Sequence, residues 1–446
     1  MLDLAQQELD NLVGRTGMPG AQLAIGDAHE TWTVCSGAVA DGGAPITPET
    51  RFPFASLTKT VTAVAGMTVV DEGRLSLDAP PSEYLPGLAL PDGPDGRPVT
   101  LGDLLSHSSG LVGSFDADGP PSAVEAVMQG ASHLERIAEP GETYSLNNHA
   151  FLIAAACIER VLGRGWHDYL PDRVLTPLGA VGATTDDSVR SAAGTARGHV
   201  PNRAGTMLTL PVPLAPRAIA ATASLFGSAA DAIAATRDCL RGAHDPDRLL
   251  TAAASDRLCE PRVQMHDPYW ADAGIGWIGS RWQERVLDSR GADAGQETYL
   301  RIAPSRGTAL ALFANAWTRR WPYFDLLPET SAAVLGAVAP QLDETRLPRA
   351  RDPRLHGVYQ WESAEFVVDA DASGATVLSS RNRGARGGLF IELEQCPVWE
   401  ASPGVHAFRM PNVEVLVGLG FSHKDASGRP GLVHLLQRSA RRSQEP

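Results

Sequence analysis

The chain has 446 residues and a mass of 47.2 kDa, which is too much for one ordinary hydrophobic core and predicts two or three domains. Its formal net charge of -14 argues against a nucleic-acid partner, because neutralising phosphates requires a basic surface. No apolar stretch is long enough to span a bilayer, and the acidic N-terminus lacks the features of a secretory signal, so we expect a cytoplasmic protein with no membrane partner.

The first predicted elements are a pair of strands and a buried helix. Residues 21–36 alternate apolar and polar side chains, as strands with one buried face do. Residues 61–70 are apolar on nearly every side, which predicts a helix in the middle of a domain. A section of helices and loops, rich in proline and glycine, follows from about residue 75 to residue 260.

Strand patterns return toward the end of this first region. Residues 274–282, 285–289, 297–302 and 308–315 are predicted as successive antiparallel strands. Because strands stand at both ends of the region with helices between them, we expect one sheet that brings the two ends together. The predicted fold class is therefore α+β, with residues 1–340 forming a first domain.

A second domain is predicted after a linker. Residues 341–353 are rich in proline and charge, and residues 354–446 consist of short alternating segments separated by Asp-Ala-Ser-Gly turns. This pattern predicts a small all-β barrel. The alternating segments are residues 357–360, 365–368, 389–393, 413–418 and 432–437.

A lysine gives the first indication of chemistry. The chain has two lysines, Lys59 and Lys424, and its other cationic side chains are arginines. Lys59 stands three residues after Ser56 at the start of the apolar helix, and residues at that spacing share a helix face. A desolvated amine falls in pKa and acts as a base, whereas a guanidinium stays charged. We interpret Ser56 as a nucleophile and Lys59 as its activator; the alternative is a helix-capping serine and a snorkelling lysine.

This Ser-x-x-Lys pair belongs to an ordered set of motifs that resembles the serine β-lactamase and penicillin-binding-protein family over most of residues 15–335. Ser-x-x-Lys is a signature of these enzymes. The set as a whole is similar to the esterase, class C β-lactamase and DD-peptidase branch, which implies that branch's fold. The other matching segments are residues 71–78, 104–111, 140–143 and 176–179.

The chain departs from the family's pattern in two motifs. Family members carry Tyr-x-Asn after a Pro-Gly pair, and here Leu146 takes the tyrosine position while Asn148 keeps the asparagine. The third motif falls at residues 289–291, where Ser289 stands in place of a cationic or imidazole side chain and Gly291 is kept. The resemblance implies that Leu146, Asn148, Ser289 and Gly291 line the substrate site.

Acyl transfer requires proton transfer twice, once to activate the serine and once to release the acyl group. With Leu146 in the second motif, Tyr144 and His149 are the candidates to replace the usual phenolic base, and a packing tyrosine and a structural histidine are the alternatives. By position in the family, the oxyanion hole maps to the backbone NH groups of Ser56 and Ala292. Five scattered cysteines suggest neither a disulfide framework nor a zinc site, and we expect no metal or other cofactor.

The resemblance implies a serine acyltransferase or hydrolase that forms an acyl-Ser56 intermediate, with Lys59 as the general base. The C-terminal barrel resembles the lipocalin-like domain of penicillin-binding-protein-type thioesterases, which release or cyclise nonribosomal peptides. We therefore expect a small-molecule or peptidyl (thio)ester substrate, free or bound to a carrier protein. Two alternatives stay open: an esterase, amidase or D-peptidase, and a non-catalytic member that binds a ligand or partner.

Overall fold

The computed structural model shows a mixed helix and sheet region followed by a closed β-barrel. No helix in the described part of the chain is both long and apolar enough to cross a membrane. The described residues are 1–91, 96–117, 119–202, 205–211, 216–317, 327–361, 364–382, 393–410, 416–435 and 438–443.

The α-helices lie in the first region, between and around its strands. Short 3-10 turns connect several of them, including a turn at Ala55–Leu57 that runs directly into the second helix. The α-helices are α1 (Leu2–Thr16), α2 (Thr58–Asp71), α3 (Leu101–Leu105), α4 (Ala123–Gly130), α5 (Asn148–Leu162), α6 (Trp166–Leu170), α7 (Thr176–Leu178), α8 (Ala220–Ala223), α9 (Ala229–Ala234), α10 (Ala252–Cys259) and α11 (Pro328–Leu335).

The strands fall into one large sheet, three short two-stranded sheets and the barrel. Those of the first region are β1 (Gly20–Asp27), β2 (Thr31–Gly37), β3 (Phe52–Pro53), β4 (Leu111–Val112), β5 (Glu135–Arg136), β6 (His199–Pro201), β7 (Met207–Thr209), β8 (Phe226–Gly227), β9 (Val263–Gln264), β10 (Trp270–Ala273), β11 (Ile278–Ser280), β12 (Leu287–Asp293), β13 (Gln296–Ala303) and β14 (Thr308–Ala314). Those of the barrel are β15 (Gly357–Trp361), β16 (Ala364–Ala370), β17 (Thr376–Asn382), β18 (Cys396–Ser402), β19 (Val405–Arg409), β20 (Leu416–Lys424), β21 (Pro430–Leu435) and β22 (Arg438–Arg442).

The large sheet is antiparallel and joins the two ends of the first region. Its strand order is β2-β1-β14-β13-β12-β11-β10-β9, so the first strand of the chain lies beside the last strand of the region. The register between β1 and β14 runs from Ala21 opposite Ala314 to Asp27 opposite Thr308. The prediction of a sheet that unites both ends is confirmed. The strand predicted over 274–282 is shorter, because β11 begins only at Ile278.

Helix α2 forms the centre of the first region, as its apolar sequence predicts. It is buried from Thr58 through Val69 and packs against α5, α8 and α10. A helix surrounded on all sides has apolar residues on every face, and each buried valine or methionine contributes about 1.5–3 kcal/mol to folding. The prediction of a helix inside the domain is confirmed, and this helix carries Lys59.

The barrel closes on itself through its first and last strands. Strands β15 to β22 pair in sequence order, and β15 pairs with β22 at Tyr359 opposite Arg442. Alternate side chains point inward and fill the interior, among them Phe366, Phe408 and Phe421. The all-β prediction is confirmed, although most of the predicted segments 389–393 and 413–418 lies outside the described residues.

Candidate active site

Ser56 lies in a tight turn between strand β3 and helix α2. Phe54 N donates to Leu225 O at 2.7 Å, which holds the chain just before the turn. Ala55 then adopts φ +48, a left-handed conformation that costs a non-glycine residue about 1–3 kcal/mol. The half-buried Ser56 follows and lines a cleft at the end of α2. Backbone strain directly before a candidate nucleophile is typical of active sites.

Lys59 is buried one helical turn after Ser56, with 4% of its surface exposed. Its Nζ lies 2.8 Å from Ser56 Oγ and 3.2 Å from Thr222 O. Burial, together with the positive charge of Arg438, lowers the pKa of Lys59 to about 7. A large fraction of this amine is therefore unprotonated at neutral pH and can accept the Ser56 proton.

Strand β12 brings a second backbone NH to the Ser56 turn. The two-residue turn Ala294–Gly295 joins β12 to β13, and both residues have positive φ, as type I′ hairpin turns do. In such a hairpin the residues flanking the turn exchange hydrogen bonds, so Ala292 and Glu297 form the next, non-hydrogen-bonded pair. The Ala292 NH consequently points away from β13 and is not used in the pairing of these two strands.

Gly291 permits the close approach of β12 to the Ser56 turn. A Cβ at this position would lie 2.2 Å from Phe54 O and 2.8 Å from Ser56 N. Thr298 Oγ1, on the neighbouring strand, donates to the same Phe54 O at 3.0 Å. Only glycine fits between the two backbones, and its absence of a side chain sets the spacing of the Ser56 and Ala292 NH groups.

Ser289 occupies the third-motif position and is tied to helix α2. Its Oγ lies 2.6 Å from Thr60 Oγ1, which donates its own proton to Gly276 O at 2.7 Å. Ser289 is therefore the donor to Thr60. Arg290 is the cationic side chain of this segment; its guanidinium lies 5.4 Å from the ring of Trp270 and also lines the cleft.

The segment that leads into the second motif runs along the cleft, and we call it the strap and define it as residues 142–146. Tyr144 and Leu146 both line the cleft with Ser56. The Tyr144 ring packs edge-on against His107 with ring centres 5.9 Å apart. Burial raises the pKa of Tyr144 well above its usual value, although the charges of Arg290 and Arg438 oppose this shift. The phenol is thus protonated at neutral pH.

The residues after the strap begin helix α5 and turn away from the cleft. Asn147 is the helix N-cap, and its side chain accepts from the His149 NH. Asn148 is exposed, and the His149 ring packs against Phe115 at 4.6 Å. Among the described residues that line the cleft, neither Asn148 nor His149 occurs. The structure thus brings Tyr144 to Ser56 and keeps His149 apart from it.

The cleft combines an apolar wall with charged groups. Gly274 and Gly276 lie along one side, and Gly276 permits close packing against α2, because a Cβ there would lie 2.9 Å from Ala63 Cβ. The apolar wall consists of Leu146, Trp277 and Ile278, and the charged groups are Lys59, Asp288 and Arg290.

His107 is a cleft residue in one of the matching segments, and its geometry assigns it a neutral form. Its Nδ1 accepts from Asn147 N at 3.3 Å, so the ring proton lies on Nε2. Burial and the charges of Lys59 and Arg438 lower the pKa of His107 to about 3. A neutral imidazole at this position supports the cleft without adding positive charge beside Lys59.

Arg438 is a site residue that the sequence does not mark. It begins β22 of the barrel, and its Nη1 donates to Leu146 O at 3.3 Å. Its guanidinium also lies 4.8 Å from the ring centre of Trp361. The residue is distant from Ser56 in the chain and belongs to no motif, so only the docking of the barrel reveals its effect on the pKa of Lys59.

Comparison with known proteins identifies the family. The family model described as Beta-lactamase matches residues 5–328. The chain belongs to the beta-lactamase family. Penicillin-binding protein 4 of Amycolatopsis lactamdurans is 30% identical over 356 residues, covering 76% of this chain and 91% of that protein. Unguisins hydrolase ungD' of Aspergillus campestris is 27% identical over 333 residues, covering 70% of this chain and 60% of that protein.

Solved structures show that this beta-lactamase family member shares its whole architecture with other proteins. The crystal structure of SurE matches with a TM-score of 0.74 and 26% identity over 99% of this chain and 98% of SurE. SurE with D-Leu matches with a TM-score of 0.72 and 25% identity over 99% of each chain. The octameric penicillin-binding protein homologue from Pyrococcus abyssi shares the fold, with a TM-score of 0.64 and 19% identity over 98% of each chain. The likeness therefore includes the barrel.

Proposed function

We propose that this beta-lactamase family member is a serine acyltransferase or hydrolase that passes through an acyl-Ser56 intermediate. The observation that carries this proposal is the 2.8 Å contact between Ser56 Oγ and Lys59 Nζ. The pKa of that amine is lowered to about 7, so base and nucleophile are paired in the required protonation states.

In acylation, Lys59 accepts the Ser56 hydroxyl proton while Oγ bonds to the acyl carbon. The oxyanion that forms on the acyl oxygen is stabilised by the NH groups of Ser56 and Ala292. Collapse of this intermediate breaks the bond to the leaving thiol or alcohol, and the Lys59 ammonium returns its proton to that group. The products are an ester on Ser56, a free leaving group and a neutral amine.

Deacylation requires a base for the incoming amine or water. Leu146 cannot supply one, and Tyr144 holds its proton because burial raises its pKa. His149 packs against Phe115, away from the cleft wall. We therefore assign this second proton transfer to Lys59 as well. A single base beside an apolar wall favours an organic amine over water as the acyl acceptor.

The proposed reaction is the release, cyclisation or transfer of an acyl or peptidyl (thio)ester, free or on a carrier protein. The likeness to SurE along the whole chain supports a peptidyl substrate, since SurE has been solved with D-Leu. The apolar wall of Leu146, Trp277 and Ile278 suits an apolar residue next to the reacting carbonyl. An esterase, amidase or D-peptidase is the second candidate, and the match to penicillin-binding protein 4 favours it.

Intact-protein mass spectrometry tests the acyl-enzyme. The protein is incubated with a fluorophosphonate and, separately, with the N-acetylcysteamine thioester of a short peptide that ends in a D-residue. We expect one adduct per chain with the parent and with Ser305→Ala, an exposed control, and none with Ser56→Ala. If neither reagent modifies the parent, both enzymatic functions are wrong and the non-catalytic alternative stands.

The acceptor distinguishes transfer from hydrolysis. The isolated acyl-enzyme is mixed with buffer alone or with buffer that contains D-leucine amide, and loss of the adduct is followed over time. We expect the amine to discharge the acyl group faster than water and to yield the peptide amide. Equal discharge rates, with the free acid as product, would instead make the protein a hydrolase.

A further inference from the structure

The barrel contacts the strap at every one of its five residues. The strap, residues 142–146, belongs to neither a helix nor a strand, so no regular ladder satisfies its backbone groups. The contacts are Glu142 Oε2 to His423 Nε2 at 3.0 Å, Thr143 Oγ1 to His434 Nδ1 at 3.4 Å, Tyr144 O to Ser439 Oγ at 3.1 Å, Ser145 Oγ to Ser439 N at 3.1 Å, and Leu146 O to Arg438 Nη1 at 3.3 Å.

His434 and Ser439 form the centre of this contact, and their hydrogen bonds have one consistent direction. Ser439 Oγ donates to Tyr144 O, so its lone pair accepts from His434 Nδ1 at 2.7 Å. With its proton on Nδ1, the neutral imidazole accepts at Nε2 from Ser422 Oγ at 2.6 Å. A chain of donors therefore runs from strand β20, across the outer face of the barrel, to the backbone of a cleft residue.

A second segment of the first region packs directly against the barrel, beside the hydrogen bonds of His434 and Ser439. Strand β20 has glycines where residues 266 and 267 approach it. A Cβ on Gly420 would lie 2.0 Å from His266 O, and one on Gly418 would lie 2.2 Å from Asp267 Oδ2. The His266 ring stacks on His434, with centres 5.2 Å apart. The first region therefore packs tightly against β20, at positions where only glycine fits.

We propose that the C-terminal barrel is a structural part of the active site, in which His434 and Ser439 are positioning residues that hold the strap against the cleft. Through the strap they set the position of Tyr144 and Leu146, which line the cleft together with Ser56. Neither residue touches the reacting atoms. The kinetic part of this inference rests on the proposed acyl transfer, whereas its structural part does not.

The test removes one hydroxyl from the chain of donors. Ser439→Ala breaks the link between His434 and Tyr144 O and leaves the Ser439 backbone donor in place. We expect faster hydrogen exchange in residues 142–146. We also expect kcat/KM for the peptidyl thioester to fall about fivefold, the change that one hydrogen bond of about 1 kcal/mol produces. A small fluorophosphonate does not depend on contacts with Tyr144 and Leu146. Its rate of Ser56 labelling should therefore stay within about twofold of the parent rate.

Two further variants separate positioning from general damage to the barrel. Ser402→Ala makes the same change at an exposed end of β18 and should leave both measurements as in the parent. His434→Phe keeps a ring on His266 but removes the hydrogen bonds, and it should reproduce the effect of Ser439→Ala. The double variant should have a kcat/KM only slightly below that of either single variant, because the two residues belong to the same series of hydrogen bonds.

Parental exchange in residues 142–146 of Ser439→Ala would overturn the proposal, because the chain of donors through His434 and Ser439 would then not hold the strap. Faster exchange with an unchanged kcat/KM would also overturn it, since the strap would not control the cleft. If no reagent acylates Ser56, the proposed function fails, while the exchange measurement still decides whether the barrel holds the strap.

Discussion

Lys59 can accept a proton at neutral pH because burial and the charge around it lower its pKa to about 7. Its Nζ contacts a hydroxyl and a backbone carbonyl, neither of which stabilises an ammonium as a carboxylate would. The Arg438 guanidinium adds positive charge, which disfavours the protonated form further. An arginine at this position would stay charged, which explains why a chain that otherwise uses arginine has lysine here.

The rate of Ser56 acylation should rise with pH to a plateau, with a midpoint near the Lys59 pKa of about 7. Only the unprotonated amine accepts the hydroxyl proton, so the rate follows the deprotonated fraction. Fluorophosphonate labelling measured from pH 5 to pH 9 checks this profile. Lys59→Arg should lower the plateau by about a hundredfold or more. Lys424→Arg, at the exposed second lysine, should match the parent; a flat profile in the parent would refute the assignment.

Arg438→Gln should move this midpoint upward, because it removes a positive charge that lowers the Lys59 pKa. Arg438→Lys keeps the positive charge, so its midpoint should stay nearer to that of the parent. Arg441→Gln removes an exposed arginine three positions later on β22 and serves as the matched control. The same labelling profile measures all three variants. A midpoint that stays in place or falls in Arg438→Gln would show that the barrel does not tune the base.

At the scale of secondary structure, the site is formed where β12 packs against the Ser56 turn. The turn is strained at Ala55, and the strand presents Gly291 to it without an intervening side chain. The sequence predicted a strand in this part of the chain and a motif at residues 289–291. It did not predict that the Ser289 hydroxyl would bond to Thr60 on α2, because that contact depends on the packing of two distant elements.

Gly291→Ala should separate these two elements. The new Cβ would collide with Phe54 O and Ser56 N, so the strand must move and the two NH groups of the proposed oxyanion hole would lose their spacing. We expect acylation to slow by about a hundredfold or more, as when an oxyanion donor is removed. Gly242→Ala, where an added Cβ meets no atom within 4 Å, is the control. Parental labelling rates in Gly291→Ala would show that Ala292 does not contribute a donor.

At the scale of the whole molecule, the strap is enclosed between histidines of the two regions. His107 contacts it from the first region and His434 from the barrel. Burial lowers the pKa of each to about 3, well below the ordinary value of 6.5. Nearby Asp267 has the opposite shift, because burial raises its pKa from 3.8 to about 6. We therefore expect the stability of the folded protein to depend on pH.

Stability should fall as the pH decreases from 7 to 5. Both histidines protonate in the unfolded chain near pH 6.5 but stay neutral in the folded protein down to about pH 3, so acid favours unfolding. Each contributes a loss of about 2 kcal/mol over this range, and Asp267 offsets part of it. Urea unfolding at both pH values measures the difference. His434→Asn should reduce it by about 2 kcal/mol, whereas exposed His244→Asn should not change it. An equal loss in parent and His434→Asn would refute the prediction.

The sequence by itself determined the elements and the core of the site, because these depend on neighbours in the chain. The spacing of Ser56 and Lys59, the continuous apolar sequence of α2 and the alternation of the barrel strands are local patterns. Tertiary structure alone decided that Tyr144 lines the cleft while Asn148 does not. It also decided that Arg438 and Ser439 of the barrel reach the strap. Burial and charge set a pKa, and both come from residues far apart in the chain, which no local pattern records.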